Sequence, residues 1–103
     1  MSNFRLHPGS DGVFYLAGEL DVASADTLEA KVQASLNGQV DVVLDVADLT
    51  FVDSTGIRAF IRLAKQSAPR PLVLRNPKPN VERVLEIVSI ETFGIHLESE
   101  AAD

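Results

Sequence analysis

Residues 44–65 read L-D-V-A-D-L-T-F-V-D-S-T-G-I-R-A-F-I-R-L-A-K, and no other stretch limits the possible folds as tightly. Ile57, Phe60, Ile61 and Ala64 recur at i, i+3, i+4 and i+7, which puts one apolar stripe on a helix. The run at 40–46 is mainly apolar, as a central strand covered on both faces would be. A strand therefore feeds a helix through a short apolar approach. Asp53, Ser54, Thr55 and Gly56 stand where that helix leaves its first backbone N–H groups unpaired. Ser, Thr and Asp are preferred caps, so a plain cap explains any one of them. Three in succession exceed what a cap needs. Gly56 in the first turn also needs a reason, such as close approach of another backbone. Leu49, Phe51 and Val52 would anchor the junction and hold a hydroxyl at a fixed place. Such a hydroxyl can cap the helix, or it can accept a phosphate, because unpaired N–H groups and the helix dipole favour an anion.

Strand and helix alternate along the rest of the chain. Residues 4–7 suggest a short edge strand before the turn Pro8-Gly9-Ser10-Asp11-Gly12, and 13–18 a strand with Phe14 and Leu16 on one face. Ser24 is the expected cap of a helix reaching Asn37, ended by Gly38, with Leu28, Val32 and Leu36 on one side. A helix over 55–67 and a strand over 72–75 follow. Pro77 and Pro79 precede a helix whose buried stripe is Val81, Val84, Leu85 and Val88, and 93–97 is the last strand. No repeat, low-complexity tract or linker interrupts this order. The expected fold class is α/β: one domain over 1–103, with a four- to five-stranded, mostly parallel (mixed) sheet and helices packed on one face. Loops after parallel strands share one edge of the sheet. That would bring Asp21, in the loop 18–23, beside Ser54, with 75–79 as a third loop. Asp21 reads equally well as a turn or cap residue. Asp53 reads as a cap that could orient the Ser54 hydroxyl, and Thr55 as a further cap or part of a partner surface.

Bulk properties narrow the classes of function. The chain has 103 residues, enough for one core, and 46% of them are hydrophobic, too many for disorder. No apolar run reaches the ~18 residues of a membrane span. The start M-S-N-F-R-L-H lacks a charged region followed by an apolar stretch, and there is no Cys, so the expected compartment is the cytoplasm. With a net charge of −6 and scattered Lys and Arg, nothing matches a nucleic-acid footprint; the expected partner is protein. Enzyme readings fail on chemistry. D-S-T-G separates Asp53 from Gly56 by one residue too many for an aspartic protease loop, and the second carboxylate loop is missing. Ser54 has no G-x-S-x-G elbow, and no phosphate-cradling G-x-x-x-x-G-K-[ST] loop exists. His7 and His96, alone and without Cys, make no metal site. No cofactor, metal or catalytic residue is expected.

The stretch D-L-T-F-V-D-S-T-G-I (48–57), preceded by G-E-L-D (18–21), resembles the bacterial anti-sigma factor antagonists of the STAS domain family, over nearly the whole chain. The third stretch, N-P-K-P-N-V-E-R-V-L-E-I (76–87), is similar to the family's late helix, although Ser89 stands where Gly is usual. Arg58 and Ala59 replace a small-apolar pair, and the family's last helix would begin near Ser99, with only 100–103 remaining. The resemblance implies that Ser54 carries a phosphate and that Asp21, Asp53, Ser54, Thr55, Gly56 and Arg58 form the partner surface. It further implies that the unmodified form binds an anti-sigma factor that is also a serine kinase, freeing a sigma factor. A metal-dependent serine/threonine phosphatase would reverse the modification, and the free protein would be a monomer. Two other classes are an accessory STAS subunit of a transport or stress-signalling assembly, and a weak nucleotide-binding enzyme. Co-purification with membrane or scaffold proteins would mark the first, and nucleotide turnover by purified protein the second.

Overall fold

Strands follow one another across the sheet in the order in which the chain makes them. The computed structural model describes residues 3–36 and 41–99. Its elements are β1 (Arg5–Pro8), β2 (Phe14–Leu20), α1 (Ala25–Gln33), β3 (Val42–Val52), α2 (Ser54–Ser67), β4 (Leu72–Arg75), α3 (Pro79–Ile87), a 3-10 turn (Ile90–Phe93) and β5 (Ile95–Glu98). The sheet order is β1-β2-β3-β4-β5, with β1 antiparallel to β2 and every later pair parallel. The expected mixed α/β sheet is therefore present, with five strands. Because parallel strands are added in one direction, right-handed crossovers put the connecting helices on one face.

Side-chain alternation sorts the two faces of the sheet. Val42, Leu72 and Ile95 occupy one cross-strand row, and Phe14, Leu44, Leu74 and Leu97 the next. These rows join Leu28 and Val32 of α1 and Ile57, Phe60, Leu63 and Ala64 of α2 in a single core. Fully burying a Leu or Phe side chain stabilises by ~1.5–3 kcal/mol, so this face holds most of the fold together. The opposite face carries His7, Tyr15, Asp45, Arg75 and Glu98 in one row across all five strands. There Arg75 Nε donates to Asp45 at 3.0 Å, Arg75 Nη2 donates to the Tyr15 hydroxyl at 3.2 Å, and His7 stacks on Tyr15. Tyr15 in turn donates to Asp11 at 2.8 Å, and this bond is the largest cause of the upward shift in the tyrosine pKa. Charge pairing satisfies this polar row, and beside it Val43 and Val73 pair on the same face.

Several expectations need correction. The central strand does not stop at Val46. It continues to Val52, because β2 pairs with it to the end through the register Leu20↔Val52. The irregularity at Gly18 is filled by Thr50, whose hydroxyl donates to the Gly18 carbonyl at 3.0 Å. Ser24 precedes α1 but makes no side-chain cap; its hydroxyl accepts from the Asp21 N–H at 3.0 Å and lies 3.1 Å from the Glu19 carbonyl. The first helix ends at Gln33, while the predicted end at Asn37 and Gly38, and the predicted strand start at Val40, lie outside the described residues. Leu36 still packs against the core from beyond the helix end. Val88 is the C-cap of α3 and is exposed, not part of its buried stripe. The chain turns there through Ser89 at φ 54°, a left-handed conformation that favours Gly, and buries Ile90 instead. The last strand consequently starts at Ile95, after the 3-10 turn, and not at Phe93. The short final segment at 100–103 lies outside the described residues.

Candidate functional site

The register Leu20↔Val52 sets the geometry of this edge, because Asp21 and Asp53 each follow directly on those paired residues. The Asp53 N–H donates to the Leu20 carbonyl at 3.2 Å, so the two loops leave the sheet side by side. On the first loop, the Asp21 carboxylate accepts from the Ala23 N–H at 3.0 Å, and the Asp21 carbonyl accepts from Ser24 and Ala25. The turn role expected for Asp21 is therefore present. Val22, at the tip, is 74% exposed.

Asp53 alone caps α2. With φ −107° and ψ −173°, its Oδ1 accepts from the Thr55 N–H at 2.9 Å and the Gly56 N–H at 3.1 Å. Its carbonyl accepts from Ile57 at 2.9 Å. Ser54 is thus the first residue of the helix, exposed, and its hydroxyl has no partner among the described residues. Thr55 is half-buried, and neither hydroxyl is a cap. The site puts a free alcohol beside an occupied cap.

Gly56 is buried where α2 lands on the sheet. A Cβ there would lie 2.7 Å from Val52 Cγ2 and 2.8 Å from Leu20 Cγ. The approach that excludes a side chain is thus by two core side chains, not by another backbone. Ala would gain up to ~1 kcal/mol of helix propensity, but overpacking costs ~1–3 kcal/mol. Gly56→Ala is expected to destabilise by about 1 kcal/mol, lowering the melting temperature by ~4–8 °C in thermal denaturation. A higher melting temperature would show that Leu20 and Val52 move aside.

Arg58, one turn beyond Ser54, is exposed. The third loop reaches the same edge, since Asn80 Nδ2 donates to the Thr50 carbonyl at 3.0 Å. All six predicted site residues therefore lie on or beside one edge of the sheet. Sequence reasoning missed Val22, and it misplaced Phe51. That residue does not anchor the junction inside; paired with Glu19, it is 47% exposed. An apolar residue beside Asp21 in a predicted loop was the available signal for Val22.

Among the described residues no group of His, Asp and Glu could hold a metal ion, and no helix is long and apolar enough to cross a membrane. A shallow cavity of about 310 Å³ lies between the end of α3 and β5, lined by Leu85, Ile90 and Leu97, and includes none of the predicted site residues.

Sheet order, helix layer and the serine at the start of α2 define a small α/β domain whose distinctive chemistry is a displayed alcohol. A family model for the STAS domain matches residues 5–102, and the chain belongs to that family. It is 36% identical over 91 residues to BtrV of Bordetella bronchiseptica, a candidate anti-sigma factor antagonist, covering 84% of this chain and 78% of that protein. In fold it is similar to the anti-sigma factor antagonist SpoIIAA in its unphosphorylated form, with TM-score 0.71 and 19% identity over 94% of this chain and 89% of the other. The Bacillus cell fate determinant SpoIIAA in its phosphorylated form gives 0.63 and 20%, over 94% and 92%.

Proposed function

We propose that this chain is a cytoplasmic anti-sigma factor antagonist, without catalytic activity of its own, whose binding is switched by phosphorylation of Ser54. Unmodified and monomeric, it binds an anti-sigma factor that is also a serine kinase, and a sigma factor is released. The kinase, with its own ATP and Mg²⁺, transfers the γ-phosphoryl group to Ser54 Oγ. ADP leaves, the hydroxyl proton is lost, and the complex weakens. A metal-dependent phosphatase hydrolyses the ester and restores binding. Asp21, Asp53, Thr55, Gly56 and Arg58 frame the docking surface.

One observation carries this reading: Ser54 is exposed, and unbonded among the described residues, because Asp53 has taken the capping role. A serine needed as a cap would have its oxygen tied to backbone N–H groups, and its modification would break the helix start. Here the modification has no fold contact to break. The similarity to BtrV, and to a SpoIIAA structure solved in a phosphorylated form, agrees with it. The test is phosphopeptide mapping after incubation with the cognate kinase. A single phosphate is expected at Ser54, and Ser54→Ala should abolish labelling. Modification at Thr55, or labelling that persists in Ser54→Ala, would refute the assignment.

A further inference from the structure

We propose that Arg58 is the internal partner of the phosphate on Ser54, closing a phosphate–guanidinium pair one turn along α2 when the protein is modified. The inference rests on Ser54 being the modified residue and adds how its charge is held.

A phosphate on the first residue of a helix ordinarily turns to the free N–H groups there. In this chain those of the three residues after Ser54 are taken. Thr55 and Gly56 donate to Asp53 Oδ1 at 2.9 and 3.1 Å, and Ile57 donates to the Asp53 carbonyl. The occupying group is itself a carboxylate, so it repels a second anion as well as blocking it. The helix start therefore offers the phosphate little beyond its own N–H and the dipole, and a full counter-charge has to come from a side chain.

Arg58 is placed to supply it. Ser54 and Arg58 are four residues apart within α2, on one side of the helix, and both are exposed. Long helical side chains lean toward the N-terminus, which directs the guanidinium at Ser54. An acid N-terminal to a base at this spacing is the favourable orientation. Three of the five other arginines are engaged, Arg62 with Glu29, Arg70 with Asp41 and Arg75 with Asp45, each at 3.0 Å, and Arg5 and Arg83 lie on β1 and α3. Arg58 has no ion pair or hydrogen bond among the described residues. Its planar fork can donate to two phosphate oxygens together, which a lysine cannot match.

The remaining charges on this edge come from other loops. Asp21 and Asp53 are acidic, with their carboxylates bonded to backbone N–H groups. Lys78, half-buried at the start of α3, is a second base. The pair gives the switch two parts. Unmodified protein offers a free guanidinium to an acidic group on its partner; modified protein withdraws that donor and presents anionic charge instead.

The test uses the full chain with phosphoserine incorporated at position 54 during synthesis, so that no kinase is required. Phosphorus NMR then follows the second ionisation of the phosphate, ordinarily near pH ~6. With Arg58 present it should ionise about 0.3 pH unit lower than in Arg58→Gln, with Arg58→Lys between them and Lys78→Gln like the wild type. The Arg58 Nε–H resonance should shift on phosphorylation. Amide spectra of the unmodified variants check that each is folded. Equal phosphate titration in wild type and Arg58→Gln, or a larger effect from Lys78→Gln, would overturn the pairing. Such a result would leave the mapping of Ser54 by its kinase untouched, just as a kinase that ignores Ser54 would leave the measured pair intact.

Discussion

Phosphoserine at position 54 is expected to weaken binding to the anti-sigma factor by about 30-fold to several thousand-fold, while Ser54→Ala binds like the unmodified protein. The range follows from the ~2–5 kcal/mol lost when a desolvated contact acquires an unmatched charge. The surface around Ser54 explains the sign. Val22 and Phe51 are exposed apolar groups near that edge, and the exposed Ser54 hydroxyl is neutral. A partner seated there excludes water from an alcohol at little cost, whereas a group carrying nearly two negative charges must be desolvated or repelled. The fold should hardly respond. The helix dipole favours the phosphate by ~0.3–1 kcal/mol, and Asp53 opposes it by a similar amount. The melting temperature should therefore move by no more than about 5 °C. Amide shifts should concentrate in 18–23 and 53–58. Calorimetry giving the same affinity for both forms would end the switch. A large loss of melting temperature would mean that the phosphate acts through the core.

Gly18→Ala is expected to be the most damaging conservative change near the site, costing at least ~3 kcal/mol. Gly18 has φ +91°, a conformation that costs ~1–2 kcal/mol for a residue with a side chain. Space is the larger difficulty. A Cβ there would fall on the carbonyl oxygen of Asn3, with that carbonyl carbon 2.7 Å away and Phe4 Cα 3.2 Å away. These are backbone atoms leading into β1, so no rotamer change can relieve the collision; β1 must shift against β2. Thermal denaturation should show a drop of ~12 °C or more. Gly12→Ala is the matched control. Its φ is +82° but among the described residues nothing lies within 4 Å of the added atom, so only the conformational cost of ~1–2 kcal/mol remains. If the two variants melted together, steric exclusion at Gly18 would be disproved.

What sequence patterning could read was whatever depends on neighbours close along the chain. The i, i+3, i+4 spacing from Ile57 to Ala64 located α2 to within one residue, and Ile57, Phe60 and Ala64 are all buried. Alternation of strand and helix after a hairpin implied the mixed sheet that is present. The D-S-T-G motif placed Ser54 at the helix entrance. Two of the errors, at Val88 and Phe51, share one cause. Periodicity says which residues of an element are apolar, but not where its cover ends. Val88 continues the stripe of α3, yet the chain turns at Ser89 and leaves it exposed. Phe51 lies in an apolar approach, yet its register opposite Glu19 leaves it exposed.

The sequence by itself determined the order of the elements, their apolar faces, the family and the position of the serine. Those properties are written in local spacing and in motif identity. Tertiary structure decided what the serine is free to do. Three residues in succession had the chemistry of a cap, and propensity ranks Asp and Ser alike. The choice came from pairing: Leu20↔Val52 brings the Asp53 N–H to the Leu20 carbonyl, and Asp53 then holds the extended backbone of a cap. A bond to a strand distant in sequence thus makes Asp53 the cap and leaves the Ser54 hydroxyl exposed to solvent.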